Sequence, residues 1–339
     1  MSDAVKVILD CDTGDDDAVA IMTAVLSEKI DLLGVCTVQG NKGIEYTTEN
    51  TLRVIEALNA DVPVFQGCPG PIASRLLYSR HGSFSGMTGV KEDVKNEKGE
   101  VISYHTDYLP LPKATIKKQE KHAVFWLVET LLASEGDICV VPTGPMTNLA
   151  MALRLEPAIA KKIKEVVFMG GGVNVFNSTG ASEFNIWNDP EAAEIVLQAG
   201  IPITMVPLDA THQANFDLED CRRLREIGTV AANAVADIMD TRIEAYDLYQ
   251  PQATLHTAPL HDALALSYLI DREVLQDLHF WRVDVDISGG FADGATLCDT
   301  RAFTDLPRNC TVALGANNER FHSIIFGLLE RQKRELEAA

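Results

Sequence analysis

VILDCDTGDDDAVA, residues 7–20, runs from an apolar strand through an acidic loop into a helix. Val7, Ile8 and Leu9 form the buried end of the strand, and from Ala18 to Leu26 apolar residues recur at helical spacing. Outward from this unit the same alternation continues. Leu32 to Val38 reads as a second buried strand, closed by Gln39, Gly40 and Asn41, and a helix from about Glu45 to Leu58 follows. Further strands are predicted near Val62 to Phe65, Ile138 to Val141, Glu165 to Met169 and Ile203 to Val206. Strands alternating with helices predict an α/β fold with a mostly parallel central sheet and helices on both faces. Residues Tyr78 to Pro112 interrupt the rhythm as a polar, Gly-rich excursion. Residues Ala210 to Ala258 read as a helical insertion, and beyond Leu278 come additional strands, expected to be antiparallel, and a charged terminal helix. With no internal repeat and no linker, residues 1–339 are expected to form one domain.

Composition narrows the function classes. Of 339 residues 46% are hydrophobic and 23% charged, which suits a globular domain with a sizeable core. A net charge of −20 without basic stripes excludes a nucleic-acid partner, while favouring solubility and tolerating a cation. The seven cysteines stand singly, with no CxxC pair, so neither a disulfide framework nor a zinc knuckle is expected. No signal-peptide layout precedes the first apolar run, and no apolar stretch approaches membrane-spanning length. The expected setting is soluble and cytoplasmic, with no membrane partner.

Asp10, Asp12, Asp15, Asp16 and Asp17 crowd the carboxyl end of the first strand, the edge where open α/β sheets build their sites. Clustered carboxylates repel one another unless a cation neutralises them, and hard oxygen ligands suit calcium or magnesium. Asp16 and Asp17 also have a simpler role available, as caps of the following helix. An EF-hand loop beginning at Asp10 would need Glu at its twelfth position, which is Ile21. A dinucleotide fingerprint is absent, because Gly170 to Gly172 run into a polar segment rather than a helix. A magnesium-dependent phosphatase with an aspartyl nucleophile fits the ILDCDTG stretch, but no convincing second acidic pair follows.

Asp10, Asp12, Asp16 and Asp17 resemble the DxDxxxDD signature of the nucleoside hydrolase family, the inosine-uridine type N-ribohydrolases. Thr13 and Asp15 stand where that family often has Pro and an apolar residue. Further segments resemble the family in its order. Asn41 matches a ribose or metal-water contact. VVPTGPMTNLA, residues 140–150, carries Thr143, whose main-chain carbonyl would ligate calcium; its bland reading is a turn with Thr147 or Asn148 capping a helix. VVFMGGGVNVFNSTGASEFNIWNDPEAA, residues 166–193, resembles the ribose-binding stretch, with Asn177, Glu183 and Asn185 on the sugar and Met169 beneath it. Glu183 and Asn185, two apart in an expected extended stretch, would share a face. In APLHDALALSYLI, residues 258–270, the resemblance assigns Asp262 to calcium and His261 to protonation of the base. LDATHQ, residues 208–213, resembles an architectural segment, and His81 the start of a base-site loop whose continuation departs from the pattern.

The resemblance therefore implies a Rossmann-like fold and hydrolysis of the N-glycosidic bond of a ribonucleoside, within purine and pyrimidine salvage. Calcium would be held by Asp10, Asp12, Asp17, the Thr143 carbonyl and Asp262, with Asp12 as general base and Asp16 on the ribose. Tyr246, Tyr249 and Trp187 are candidates for stacking on the base, although a Tyr in a helix more often packs. A broad inosine-uridine preference and a homodimer or homotetramer are the matching expectations. The competing readings are the phosphatase and a non-catalytic nucleoside-binding protein, which would require damage at Asp12 or His261, and both are intact.

Overall fold

The computed structural model describes residues 4–76, 99, 105–303 and 305–338. Its strands are β1 (Val5–Cys11), β2 (Ile30–Thr37), β3 (Val64–Gln66), β4 (Ile138–Pro142), β5 (Ile163–Met169), β6 (Ile203–Val206), β7 (Asn215–Asp217), β8 (Thr257–Pro259), β9 (Leu275–Val285), β10 (Thr296–Asp299) and β11 (Cys310–Ala316). The helices are α1 (Asp15–Leu26), α2 (Ile44–Ala57), α3 (Ala123–Ala133), α4 (Thr147–Leu155), α5 (Phe184–Asn188), α6 (Pro190–Leu197), α7 (Leu208–Thr211), α8 (Leu218–Ile227), α9 (Val230–Tyr249), α10 (His261–Ile270) and α11 (Asn318–Ala338).

One sheet runs in the order β10-β9-β11-β6-β5-β4-β1-β2-β3. From β3 to β11 neighbouring strands are parallel, whereas β9 pairs antiparallel with both β11 and β10. The section β3-β2-β1-β4-β5-β6 has the strand order of the doubly wound dinucleotide folds, despite lacking their glycine fingerprint. In that order the chain reverses direction across the sheet between β1 and β4, which opens a crevice beyond their carboxyl ends. Asp10 pairs with Pro142 across that junction, so the acidic loop emerges into the crevice.

Residue alternation along β1 explains both layers. Val7 and Leu9 face a core shared with Ala18 and Ile21 of α1, Met239 of α9, Leu264 of α10 and Phe321 of α11. Ile8 faces the opposite core with Leu127 of α3, Leu149 of α4 and Val196 of α6. Period two then sends Asp10 toward the side of Ile8 and α4. Among the described residues no helix is long and apolar enough to cross a membrane.

Three local expectations change. The first helix starts at Asp15, not Ala18, because three carboxylates in its first turn face the positive end of its dipole. The insertion is two helices, α8 and α9, bracketed by the antiparallel pair β7–β8. Glu183 and Asn185 do not lie in an extended stretch: Glu183 is the N-cap of α5, and its carboxylate accepts from the Asn185 and Ile186 amides. Residues Tyr78 to Pro112 lie largely outside the described residues.

Leu149 is fully buried between α4 and the sheet, so Leu149→Ala should destabilise the protein by about 2–5 kcal/mol. Urea unfolding would show this as a lower midpoint with an unchanged slope, and an unmoved midpoint would contradict the packing.

Candidate active site

The backbone builds a narrow slot for Asp12. The Thr143 amide donates to the Asp10 carbonyl at 2.9 Å, holding the loop after β4 against the end of β1. The Asn41 amide donates to Asp12 Oδ2 at 2.5 Å, from the loop after β2. Gly40 and Gly144 flank that carboxylate. A Cβ at residue 40 would fall 1.9 Å from Asp12 Oδ2, and one at residue 144 would fall 2.6 Å from Oδ1. Both glycines are needed for space, not for an unusual backbone angle. Asp12 Oδ1 is buried with no hydrogen-bond partner among the described residues, and the same holds for Asp10 Oδ2.

Asp10 is held by its other oxygen. Asn148 Nδ2 donates to Asp10 Oδ1 at 2.8 Å and to the Thr37 carbonyl at 3.0 Å, and its Oδ1 accepts from the Cys68 amide at 2.8 Å. One amide thus ties the ends of β1 and β2 to the segment after β3. Neither Asn148 nor Thr147 caps α4: the cap position is Met146, and Thr147 donates to Asp189 at 2.6 Å.

The first turn of α1 adds Asp15, Asp16 and Asp17, all buried, and the first turn of α10 adds Asp262. Asp17 Oδ2 accepts from the Gly14 amide at 3.0 Å and Asn41 Nδ2 at 3.4 Å, while Oδ1 accepts from Thr143 Oγ1 at 2.8 Å. One oxygen each of Asp16, Asp17 and Asp262 lie within 4.8 Å of one another. Each ionised pair at that separation repels by on the order of 3 kcal/mol at an effective dielectric near 20. Burial first, and then neighbouring carboxylates, push Asp12 and Asp262 well above the carboxylate range and Asp17 to about 7. Burial also raises Asp10 and Asp15 to about 7.

Asp16 goes the other way. Burial would raise it, but the Arg242 guanidinium beside it pulls it below its usual value. Arg242 Nη2 lies 3.1 Å from Asp16 Oδ2, and both side chains are almost wholly buried. Arg242 Nε and Nη2 also donate to the Pro259 carbonyl at the end of β8, at 3.3 and 3.2 Å.

A second group lines the crevice from α9, α10 and α7. The Tyr246 hydroxyl is 2.5 Å from His261 Nε2, and Thr211 Oγ1 is 2.7 Å from His261 Nδ1. Thr211 leans its own proton toward the Leu208 carbonyl. The two hydroxyls hold both ring nitrogens of His261, and the ring's tautomer sets which of them donates. Burial holds His261 well below its usual range, hence neutral, despite the pull of Asp16. LDATHQ is therefore more than architecture, since its Thr211 fixes the His261 ring. His212 packs 5.8 Å from His261, ring centre to ring centre, and burial lowers it to about 4.

The remaining candidates divide. Asn185 Nδ2 donates to the Thr143 carbonyl at 2.8 Å and the Met169 carbonyl at 3.2 Å, so these three residues meet at the ends of β4 and β5. Glu183 accepts from the Gly171 amide at 2.8 Å as well as from the start of α5, and burial raises it to about 7. Asn177 is exposed, its Oδ1 accepting from the Phe184 amide at 2.9 Å. Trp187 is half-buried with its backbone against Gly294, and Tyr249 is half-buried at the last position of α9. His81 lies outside the described residues.

Four participants escaped the sequence reading: Arg242, Asn148 as the Asp10 anchor, Thr211 and His105. His105 Nδ1 accepts from the Asp15 amide at 3.4 Å, and burial lowers it to about 4. Only Arg242 had a readable signal. It is the single basic residue of α9, set among Ile238, Met239 and Ile243 and four positions before Tyr246.

Residues 7–323 match the family model described as inosine-uridine preferring nucleoside hydrolase. The pyrimidine-specific ribonucleoside hydrolase RihB of Escherichia coli is 36% identical over 324 residues, covering 94% of this chain and 95% of that protein. A solved purine-preferring ribonucleoside hydrolase from Gardnerella vaginalis superposes with a TM-score of 0.80 at 28% identity, covering 97% of this chain and 99% of the other. A solved inosine-guanosine nucleoside hydrolase gives a TM-score of 0.79 at 26% identity, covering 96% and 98%. None of these three relatives is a phosphatase.

The Arg242–Asp16 pair makes its own prediction. Arg242→Met leaves a buried carboxylate uncompensated and should cost about 3–5 kcal/mol, whereas Arg242→Met with Asp16→Leu should recover most of that loss. Chemical denaturation of the two variants beside the parent measures the difference, and equal stabilities would deny the coupling.

Proposed function

Because the chain belongs to the inosine-uridine preferring nucleoside hydrolase family and is a ribonucleoside hydrolase, we propose that its acidic crevice holds calcium and uses Asp12 to activate water against the N-glycosidic bond. The observation that carries this reading is the Asp12 slot, a buried carboxylate with one oxygen held by Asn41 and the other unpartnered among the described residues.

The residues present fit a hard cation. All donors are oxygens, one oxygen each of Asp10 and Asp12 lacks a hydrogen-bond partner among the described residues, and the cluster is too crowded to ionise fully without added positive charge. Asp10, Asp12, Asp17, the Thr143 carbonyl and Asp262 would hold it. Asp16 is better assigned to the ribose, because Arg242 already supplies its counter-charge. A bound calcium supplies a water of lowered pKa and a rigid seat for sugar hydroxyls.

The chain's own groups account for the remaining chemistry. Asp12 takes the proton of the attacking water at its free oxygen. Asp16, Asn41, Asn185 and Glu183 orient the ribose, with Met169 beneath the sugar and Asn177 closing the edge of that stretch. As the C1′–N bond breaks, positive charge grows on the ribose ring, and the surrounding carboxylates and amide oxygens favour it. The leaving base receives its proton through the Tyr246–His261 pair, with Thr211 positioning the His261 ring. Substrates are ribonucleosides, inosine and uridine first, and the free cysteines match a reducing cytoplasmic setting.

The test is release of free base and reducing ribose from inosine, uridine, adenosine and cytidine, with and without a chelator. Release that is abolished by chelation, restored by calcium and reduced by at least about a thousandfold in Asp12→Asn is expected. Folded, calcium-loaded protein that leaves all four intact would overturn the assignment.

A further inference from the structure

The antiparallel hairpin β9–β10 stands outside the doubly wound section, at the far edge of the sheet, yet it reaches back to the stretch that runs from β5 through α5. Thr296, the first residue of β10, is buried. Its Oγ1 accepts from the Gly172 amide at 3.0 Å and donates to the Gly172 carbonyl at 2.6 Å. In the turn before it, the Asp293 carbonyl accepts from Ser182 Oγ at 2.6 Å. Gly294 sits so close to α5 that a Cβ there would fall 2.6 Å from the Trp187 Cα.

Gly171 links this hairpin to the crevice. Its φ of +76° suits a residue without a side chain, and a Cβ there would fall 2.8 Å from Thr296 Cγ2 and 2.6 Å from Met205 Cε. The Gly171 amide donates to Glu183 Oε2 at 2.8 Å, and Glu183 Oε1 accepts from the Asn185 amide at 3.0 Å. Asn185 Nδ2 then donates to the Thr143 carbonyl. A series of short contacts thus runs from one hydroxyl on the outermost strand to the ends of β4 and β5.

In the hydrolase reading above, on which this inference rests, Glu183 and Asn185 orient the ribose. We propose that Thr296 is a positioning residue for that reaction. The two hydrogen bonds of its hydroxyl fix the backbone at Gly171 and Gly172, and through the Gly171 amide they hold the Glu183 carboxylate against the sugar.

Thr296→Val tests this, because valine keeps the branched shape and leaves the buried Gly172 amide and carbonyl without that hydroxyl. Thr296→Ser keeps the hydroxyl. The quantities are kcat and KM, measured separately with calcium present, for uridine and 4-nitrophenyl riboside, which share only the sugar. In the valine variant KM should rise about 10-fold on both substrates while kcat changes by less than about threefold, as expected for a contact made in ground and transition states alike. The serine variant should stay within about threefold of the parent in both constants. In a Glu183→Gln background, Thr296→Val should raise KM by less than about twofold, because the same path is already cut.

A merely structural defect lowers kcat through loss of active molecules and leaves KM alone, and that result overturns the proposal. So does an unmoved KM, a serine variant as impaired as the valine one, a KM change that differs between the two substrates, or full additivity with Glu183→Gln. Melting curves establish folding, and if the valine variant does not fold, Thr296→Ala is read by the same split. A parent that cleaves both ribosides beside an unimpaired valine variant overturns this inference alone; a parent that cleaves neither overturns the hydrolase reading beneath it.

Discussion

Repulsion among buried carboxylates governs this molecule's crevice. Asp10, Asp12, Asp15, Asp16, Asp17 and Asp262 converge from the end of β1 and the first turns of α1 and α10, nearly all out of contact with water. Within the described residues one guanidinium, that of Arg242, enters the group, and it binds a single member. The division of labour follows from that asymmetry. Asp16 is held below its usual range by its partner, while burial and mutual repulsion push Asp12, Asp17 and Asp262 up. Helix dipoles at two N-termini help the cluster exist but do not neutralise it.

The sheet order turns this local chemistry into a site. A doubly wound arrangement brings the ends of β1 and β4 together at the reversal of strand order, and the loops after β2 and β5 close around them. Asn148 spans three strand ends with one side chain, and Thr143 serves Asp17 through its hydroxyl while its carbonyl accepts from Asn185. Each carboxylate is thereby aimed by groups from a different element. The insertion contributes from the other side of the crevice, and β7–β8 carries the Pro259 carbonyl that steadies Arg242.

The alternation of strands and helices and the acidic loop were legible because both are local: apolar period and charge density survive in a one-dimensional string. The strands fell within a few residues of their predicted positions for that reason. Contacts between distant segments were not legible. Nothing in the neighbourhood of Arg242 names Asp16, 226 positions away, and nothing around Thr211 names His261. The extended reading of Glu183 and Asn185 failed for a related reason, because a carboxylate that caps its own short helix looks in sequence like any polar pair. Asn177 was placed on the sugar by resemblance, and nothing in the sequence showed that its Oδ1 accepts from the Phe184 amide at the turn into α5.

Gly40 and Gly144 carry a consequence for divergence within such proteins. A side chain at either would run into one of the two oxygens of Asp12, so the acid at that position and the absence of side chains beside it form a single inherited unit. A duplicate gene that drifts to alanine at either place loses the seat for the acid while every carboxylate in its signature remains readable. Two silent-looking positions, far apart in the chain, thus separate a working copy from a relic that still displays the full acidic motif.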